Sequence, residues 1–272
     1  MHCCYYEQGS ENLKIWDIND LFFVNDIAIN AGKAILEIYY NLELSVHFKK
    51  DKSPLTNADL ASHEYITKAL KKFTPDLPIL SEEGILLDSD IKTFWCIDPL
   101  DGTKEFLKKN NEFTVNIALV VNNKPFMGVV HIPATNISFF GLKNKGAYVQ
   151  KENSIKKLPK QKYSINSKPI FTVSRSHIND ITKKFIEKHN AQTISAGSSL
   201  KLTMLAEGKA DAYPRFGPTS LWDIAAGHAI INETGGKIIT FDDQDIVYEL
   251  ENILNPSFIA LRNDKLNYFI SD

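Results

Sequence analysis

Three acidic clusters stand where apolar runs end: Glu82-Glu83, Asp98-Pro99-Leu100-Asp101 and Trp222-Asp223. Carboxylates at the margin of buried segments are costly unless a cation or a hydrogen-bond donor compensates them. A hard divalent cation suits the role, because Mg²⁺ takes oxygen ligands, commonly one or two carboxylates together with substrate phosphate oxygens. Pro99 rigidifies its turn, so Asp98 and Asp101 can share one side with the Leu100 carbonyl exposed between them. Gly102 allows the main chain to approach a ligand closely. Gly102, Thr103 and Lys104 are expected to open a helical turn whose free N–H groups can hold a phosphate. No histidine lies in the clusters, which disfavours zinc. Spacing alone leaves a plainer alternative open: an isolated Glu-Glu is usually a solvated surface pair, and an isolated Asp-x-x-Asp is more often a turn or a cap.

The elements that carry these clusters are readable from periodicity. Apolar residues at helical spacing predict a helix from 16 to about 44, capped by Asp17 or Asn19. A short strand at 47–48, a loop, and a helix capped by Thr56 or Asn57 and running to about 73 follow. Strands at 78–80 and 94–97 stop at Ser81-Glu82-Glu83-Gly84 and at Asp98-Pro99. Antiparallel strands are expected at 113–121, 125–132, 137–140 and 146–149, with Asn122-Asn123-Lys124 as a turn. Residues 150–168, rich in Lys, Ser, Asn and Gln, are the expected seam between lobes. Beyond it, strands near 171–174, 192–195 and 210–213 alternate with helices near 178–189, 200–207 and 220–233. Strands near 237–240 and 258–261 close the chain. The pattern predicts a flexible leader at 1–15 and a single catalytic unit at 16–272. Within that unit an α+β lobe (about 16–150) packs on an α/β lobe (about 168–272).

Composition narrows the classes. Hydrophobic residues make up 43% and charged residues 24% of the 272, the balance of a soluble globular protein. A net charge of −2 provides no overall basic field, so a nucleic-acid partner is not expected and any phosphate binding must be local. Cys3, Cys4 and Cys96 make no disulfide framework, which suits a reducing compartment. Adjacent Cys3 and Cys4 beside His2 lack the second cysteine pair of a zinc site, and Cys96 reads as core. No segment reaches the roughly 18 apolar residues of a membrane helix, and the N-terminus lacks a signal-peptide pattern. The cytoplasm is the expected compartment.

The motifs are more specific than their spacing. Ser81-Glu82-Glu83, Trp95-Cys96-Ile97-Asp98-Pro99-Leu100-Asp101-Gly102-Thr103 and Leu221-Trp222-Asp223-Ile224-Ala225-Ala226-Gly227 resemble, in order, the motifs of the inositol monophosphatase superfamily. The match extends from about 17 to 261. Five further segments are similar to its bacterial CysQ-type 3′(2′),5′-bisphosphate nucleotidases. They are Lys104-Glu105-Phe106, Asn111-Glu112-Phe113-Thr114-Val115-Asn116, Val173-Ser174-Arg175-Ser176-His177, Gly197-Ser198-Ser199-Leu200-Lys201 and Tyr213-Pro214-Arg215-Phe216-Gly217. The leader is longer than that type suggests.

The resemblance implies an α/β fold, a layered αβαβα sandwich. It implies that Glu82, Asp98, the Leu100 carbonyl, Asp101 and Asp223 hold two or three Mg²⁺ ions, with Glu83 behind them or on a weaker third ion. It makes Asp59 and Thr103 the pair that orients the attacking water, and brings substrate against Glu82, Asp101, Gly102, Thr103 and Asp223. The implied reaction is lithium-sensitive hydrolysis of 3′-phosphoadenosine 5′-phosphate to AMP and phosphate. The corresponding 3′-phosphoadenylyl sulfate is a second implied substrate, and sulfur assimilation the setting. Bacterial relatives of this type can associate loosely with the cytoplasmic face of the inner membrane, although no amphipathic anchor is evident here. Ser198, Lys201 and Arg215 are the candidates for the second phosphate or the ribose, since Arg suits bidentate phosphate contact. His177 is either an adenine or ribose contact or a helix cap. Phe216 is placed to stack near a base, although core packing is the commoner fate of a Phe. An inositol or sugar monophosphatase on the same fold would share every carboxylate, and a nucleotide-binding sensor would have lost at least one.

Overall fold

Helix α1 (Ile18–Tyr40) begins where Asp17 stops the preceding extended chain. The Asp17 carboxylate accepts from the N–H groups of Asn19 (2.7 Å) and Asp20 (3.2 Å), and the Asp20 carboxylate accepts from the Asp17 N–H (2.9 Å). This reciprocal cap shifts the start past Trp16, which is buried edge-on against Trp95 and Phe73. The computed structural model describes residues 14–41, 46–48, 54–84, 88–162, 168–175 and 178–270. Within it α1 stops at Tyr40, short of the expected 44, because Asn41 is extended (ψ 153°). Lys14, on the leader side of the expected boundary, already packs on the fold, paired with Asp20 (3.1 Å) and lying over the Phe73 ring (3.7 Å).

Strands β1 (Val46–Phe48) and β2 (Pro54–Thr56) pair antiparallel and lead into helix α2 (Asn57–Phe73). A seven-stranded sheet follows, built from β3 (Ile79–Ser81), β4 (Phe94–Asp101), β5 (Thr114–Val121), β6 (Lys124–Ile132), β7 (Ile137–Leu142), β8 (Gly146–Lys151) and β9 (Ser154–Lys157). A short helix, α3 (Thr103–Leu107), lies between β4 and β5. Strands β3 and β4 are parallel, and every later neighbour is antiparallel. The β5–β6 turn forms where expected, with Asn122 and Asn123 at φ 52° and 60°, the left-handed region a tight hairpin demands. Strand β9 was not anticipated: it lies in the stretch read as a seam. All four of its residues are exposed, because it is an edge strand, where lysines discourage further pairing.

The second sheet comprises β10 (Ile170–Ser174), β11 (Gln192–Ala196), β12 (Ala212–Arg215), β13 (Lys237–Thr240) and β14 (Phe258–Leu261), in the order β11-β10-β12-β14-β13. Helices α4 (Asp180–Lys188), α5 (Leu200–Ala206) and α6 (Leu221–Glu233) connect them. Helices α1 and α2 cover one face of the large sheet, while α5 and α6 fill the space between the sheets. On the far face of the small sheet, Phe185 of α4 packs against Phe171. The layers are therefore α, β, α, β, α, as the sequence resemblance implied. Gly128 in β6 makes the central contact possible: a Cβ there would collide with the main chain of Ala226 in α6. No helix among the described residues is long and apolar enough to cross a membrane.

Candidate active site

The site is built where β4 breaks. Its register with β5 runs from Phe94↔Val120 to Asp98↔Asn116, then shifts before Asp101↔Thr114. Pro99 has no N–H to offer the ladder, so pairing must lapse there. The irregularity is held from both sides. The Leu100 N–H donates to Asp98 Oδ1 (3.1 Å), and the Ser62 hydroxyl donates to the Pro99 carbonyl (2.7 Å). Gly102 follows with φ 91°, the left-handed cap from which α3 starts. A side chain at Gly102 would strain that cap and press on the Glu112 carbonyl at 3.1 Å.

Around this break the fold gathers the carboxylates. Carboxylate oxygens of Asp98, Asp101 and Asp223 lie within 4.8 Å of one another. Glu82 follows β3, where its N–H donates to the Ile97 carbonyl (3.2 Å), and its carboxyl hydrogen-bonds Asp98. Asp223 occupies the first turn of α6 in a reciprocal cap with Ser220, whose N–H donates to Asp223 Oδ2 (2.7 Å). Burial, and then the charges of Glu82, Asp101 and Asp223, hold the Asp98 carboxyl well above its ordinary range. Asp223 is raised in the same direction, by burial and then by Asp101. Among the described residues no lysine, arginine or histidine pairs with Asp98, Asp101 or Asp223. An all-oxygen cluster that repels itself and has no directly paired cationic side chain fits a hard divalent cation. The neighbouring Glu83 N–H donates to the Ser81 hydroxyl (3.3 Å).

Asp59 and Thr103, 44 positions apart, meet beside the cluster. The Thr103 hydroxyl donates to Asp59 Oδ1 (3.4 Å) and lies 3.5 Å from the Leu100 carbonyl. The other Asp59 oxygen accepts from the Thr56 N–H (2.8 Å) and hydroxyl (2.6 Å), so the cap of α2 also fixes this carboxylate.

A cavity of about 600 Å³ runs from Glu82, Asp101 and Asp223 to Lys201, Tyr213 and Arg215. Its cationic residues are not equally free. The Lys201 side chain is buried, its ammonium donates to the Ser198 carbonyl, and it lies 5.3 Å from the Tyr213 ring centre. Burial lowers its pKa. Arg215 donates to the Pro218 carbonyl (2.9 Å) and interacts with the Tyr213 side chain, while its buried Nε–H has no acceptor. Ser198 lines the cavity, and its hydroxyl donates to Asp101 Oδ2 (2.8 Å) and lies 2.6 Å from the Thr114 hydroxyl. Phe216 stacks on Phe241 (4.2 Å, 12°) and tilts against Phe185, so it belongs to the aromatic cluster and not to the cavity. His177 lies outside the described residues.

Residues without an assigned role in the sequence complete the setting. Ser199 and Asn116 join Ser198 on Asp101 Oδ2, at 2.9 and 3.2 Å. Both stand in recognised motifs, but only the fold shows that they converge on one carboxylate oxygen. Glu112 and Arg175, likewise in quoted motifs, form a bidentate ion pair with both contacts at 2.6 Å.

Residues 19–268 match the inositol monophosphatase family. The chain is 41% identical over 241 residues to the 3′(2′),5′-bisphosphate nucleotidase CysQ of Escherichia coli (strain K12), spanning 86% of this chain and 96% of that protein. It is 38% identical to the protein of the same name from Buchnera aphidicola, spanning 86% and 90%. The crystal structure of CysQ from Bacteroides thetaiotaomicron superposes with a TM-score of 0.78 at 38% identity, covering 90% of this chain and 98% of that one. The Thermotoga maritima IMPase superposes equally well, at 0.78, with 25% identity and coverage of 93% and 97%. With the match spanning every element that contributes a carboxylate, the chain belongs to the inositol monophosphatase family.

Proposed function

We propose that the chain is a Mg²⁺-dependent 3′(2′),5′-bisphosphate nucleotidase. It hydrolyses 3′-phosphoadenosine 5′-phosphate to AMP and phosphate, and acts likewise on the 5′-phosphosulfate analogue. The observation that carries this reading is the cavity itself: a carboxylate cluster fit for a divalent cation and the basic residues Lys201 and Arg215 line one space of about 600 Å³. That volume is in the range of small-molecule sites. A phosphate that is not transferred suits the two cationic side chains at that end.

Glu82, Asp98, Asp101, Asp223 and the Leu100 carbonyl would hold two or three Mg²⁺ ions. Metal bound there would supply a lowered pKa for water and positive charge for the phosphoryl and leaving oxygens. The protein's own part is positioning. Asp59, fixed by Thr56, receives the Thr103 hydroxyl proton in a hydrogen bond. The lone pairs of Thr103 are thereby left to accept from the attacking water, and Asp59 can take up the proton through it. Lys201 spends one of three donors on the Ser198 carbonyl, so two remain for the second phosphate beside Arg215. The incoming negative charge would also offset the burial that disfavours its ammonium.

Incubating the purified enzyme with 3′-phosphoadenosine 5′-phosphate in Mg²⁺ or in EDTA, and separating the products, tests the reading. AMP and phosphate, formed only with metal, are expected. Adenosine 3′-phosphate as product, or equal rates in EDTA, would sink it.

A further inference from the structure

Asp101 does not choose its own orientation. All three hydrogen bonds that it accepts from described side chains, from Asn116, Ser198 and Ser199, land on Oδ2. The other oxygen accepts none of these three bonds. Asn116 sits in β5, on the same sheet as Asp101, but Ser198 and Ser199 belong to the segment between β11 and α5 in the other lobe. The direction of this carboxylate therefore depends on where that segment is held.

It is held by a pair of residues 63 positions apart. Arg175, just past β10, grips both carboxylate oxygens of Glu112 at 2.6 Å. The same guanidinium donates to the Ser195 carbonyl (2.9 Å), and the Arg175 N–H donates to the Ala196 carbonyl (3.3 Å). Glu112 in turn accepts the Gly197 N–H (2.9 Å). Residues 195, 196 and 197 are thus each tied to the pair, immediately before the two serines. Gly197 fits closely beneath: a Cβ there would lie 2.7 Å from Glu105 Cγ and 2.9 Å from the Glu112 carbonyl. Ser198 is then held at φ 50°, which a non-glycine residue adopts only when its surroundings impose it.

We propose that the Glu112–Arg175 pair is a positioning device for Asp101, setting the serine segment so that the carboxylate meets the metal already oriented. Isolated exposed ion pairs contribute little. This one is bidentate, and it ends in three main-chain contacts next to residues that touch a metal ligand. The inference rests on Asp101 being such a ligand, as proposed above.

The test is Mn²⁺ binding to the full-length protein, followed by the electron paramagnetic resonance signal of free Mn²⁺, with metal-free melting temperatures alongside. Groups that orient a ligand typically affect metal affinity by 10- to 100-fold, so Arg175→Ala should weaken Mn²⁺ binding roughly tenfold. Its metal-free melting temperature should stay near wild type, because Arg175 is 44% exposed. Arg175→Lys should recover most of the loss, since an ammonium can still bridge Glu112. Lys124→Ala, which breaks the exposed pair with Asp245, should bind as wild type. Wild-type affinity in Arg175→Ala, with Asp101→Asn defective, would overturn the positioning role and leave the metal site standing. Wild-type affinity in Asp101→Asn would remove the metal site and this inference together. A metal-free melting temperature that falls in Arg175→Ala and is not restored by lysine would assign the pair to folding instead, and would equally overturn the inference.

Discussion

Replacing Arg215 by alanine should separate the two ends of the cavity. The guanidinium donates to the Pro218 carbonyl (2.9 Å) and also interacts with the Tyr213 side chain. Removing it costs the fold about 1 kcal/mol for the bond to Pro218. At this chain length the loss lowers the melting temperature by roughly 2–4 °C. The cost to substrate is larger, because a charged hydrogen bond to phosphate is worth about 1.5–3 kcal/mol, or roughly ten- to a hundredfold in affinity. Arg215 would touch the phosphate that is not transferred, so the contact exists in ground and transition states alike. The loss should therefore fall on KM and largely spare kcat. Steady-state kinetics on 3′-phosphoadenosine 5′-phosphate and on adenosine 3′-phosphate make the comparison, since the second substrate keeps the reacting phosphate and lacks the other. KM should rise for the bisphosphate only, and Arg215→Lys should fall between, keeping the charge without the fork. Equal damage on both substrates would refute the reasoning and put Arg215 at the reacting phosphate or in the scaffold.

Asp98→Asn should lower kcat at least roughly a hundredfold, since ligand-orienting groups alone can reach that effect. Its melting temperature in EDTA should match or exceed wild type, because a neutral amide relieves a buried cluster of like charges; near-normal turnover in saturating Mg²⁺ would exclude Asp98 from the site. Thr103→Val should cost about 10²- to 10⁴-fold in kcat with little change in KM or melting temperature. Asp59→Ala should add a loss of about 1 kcal/mol by breaking the α2 cap, so identical melting temperatures for the two variants would contradict the double role of Asp59. Burial holds His131 and His228 neutral, lowering each from 6.5 to about 4. The unfolded chain takes up these protons first, so stability is full above pH 6.5 and drains as pH falls towards 4, by on the order of 3 kcal/mol per histidine. In the metal-free protein the raised carboxyls of Asp98 and Asp223 oppose this slope. The informative quantity is therefore the difference in urea-unfolding free energy between wild type and His131→Asn, which should shift in wild type's disfavour from pH 7.5 to 4.5; a pH-independent difference would contradict the assignment.

The acidic clusters were legible because each closes an apolar run, and the motif that defines the β4 break contains its own cause in Pro99. The caps of α1 and α2 were legible too, since Asp17 and Thr56 act on residues two or three positions away. What was not legible depends on long-range contact. Nothing local says that the Ser198 hydroxyl turns to Asp101, 97 positions earlier, or that Ser199 does the same. The Glu112–Arg175 pair is hidden for the same reason. Phe216, flanked by site residues on the chain, takes the commoner of its two expected fates, facing an aromatic cluster once β12 and α4 are packed. Strand β9 was missed because edge strands and loops share a polar composition.

The ratio of kcat/KM for 3′-phosphoadenosine 5′-phosphate to that for inositol 1-phosphate, measured on one preparation in Mg²⁺, tests the central claim most directly. Both substrates would use the same carboxylates, and only the first offers a phosphate to Arg215 and Lys201. One such charged contact predicts a preference of at least roughly tenfold for the bisphosphate. A ratio at or below one would contradict the account and make the chain a monophosphatase of the same fold.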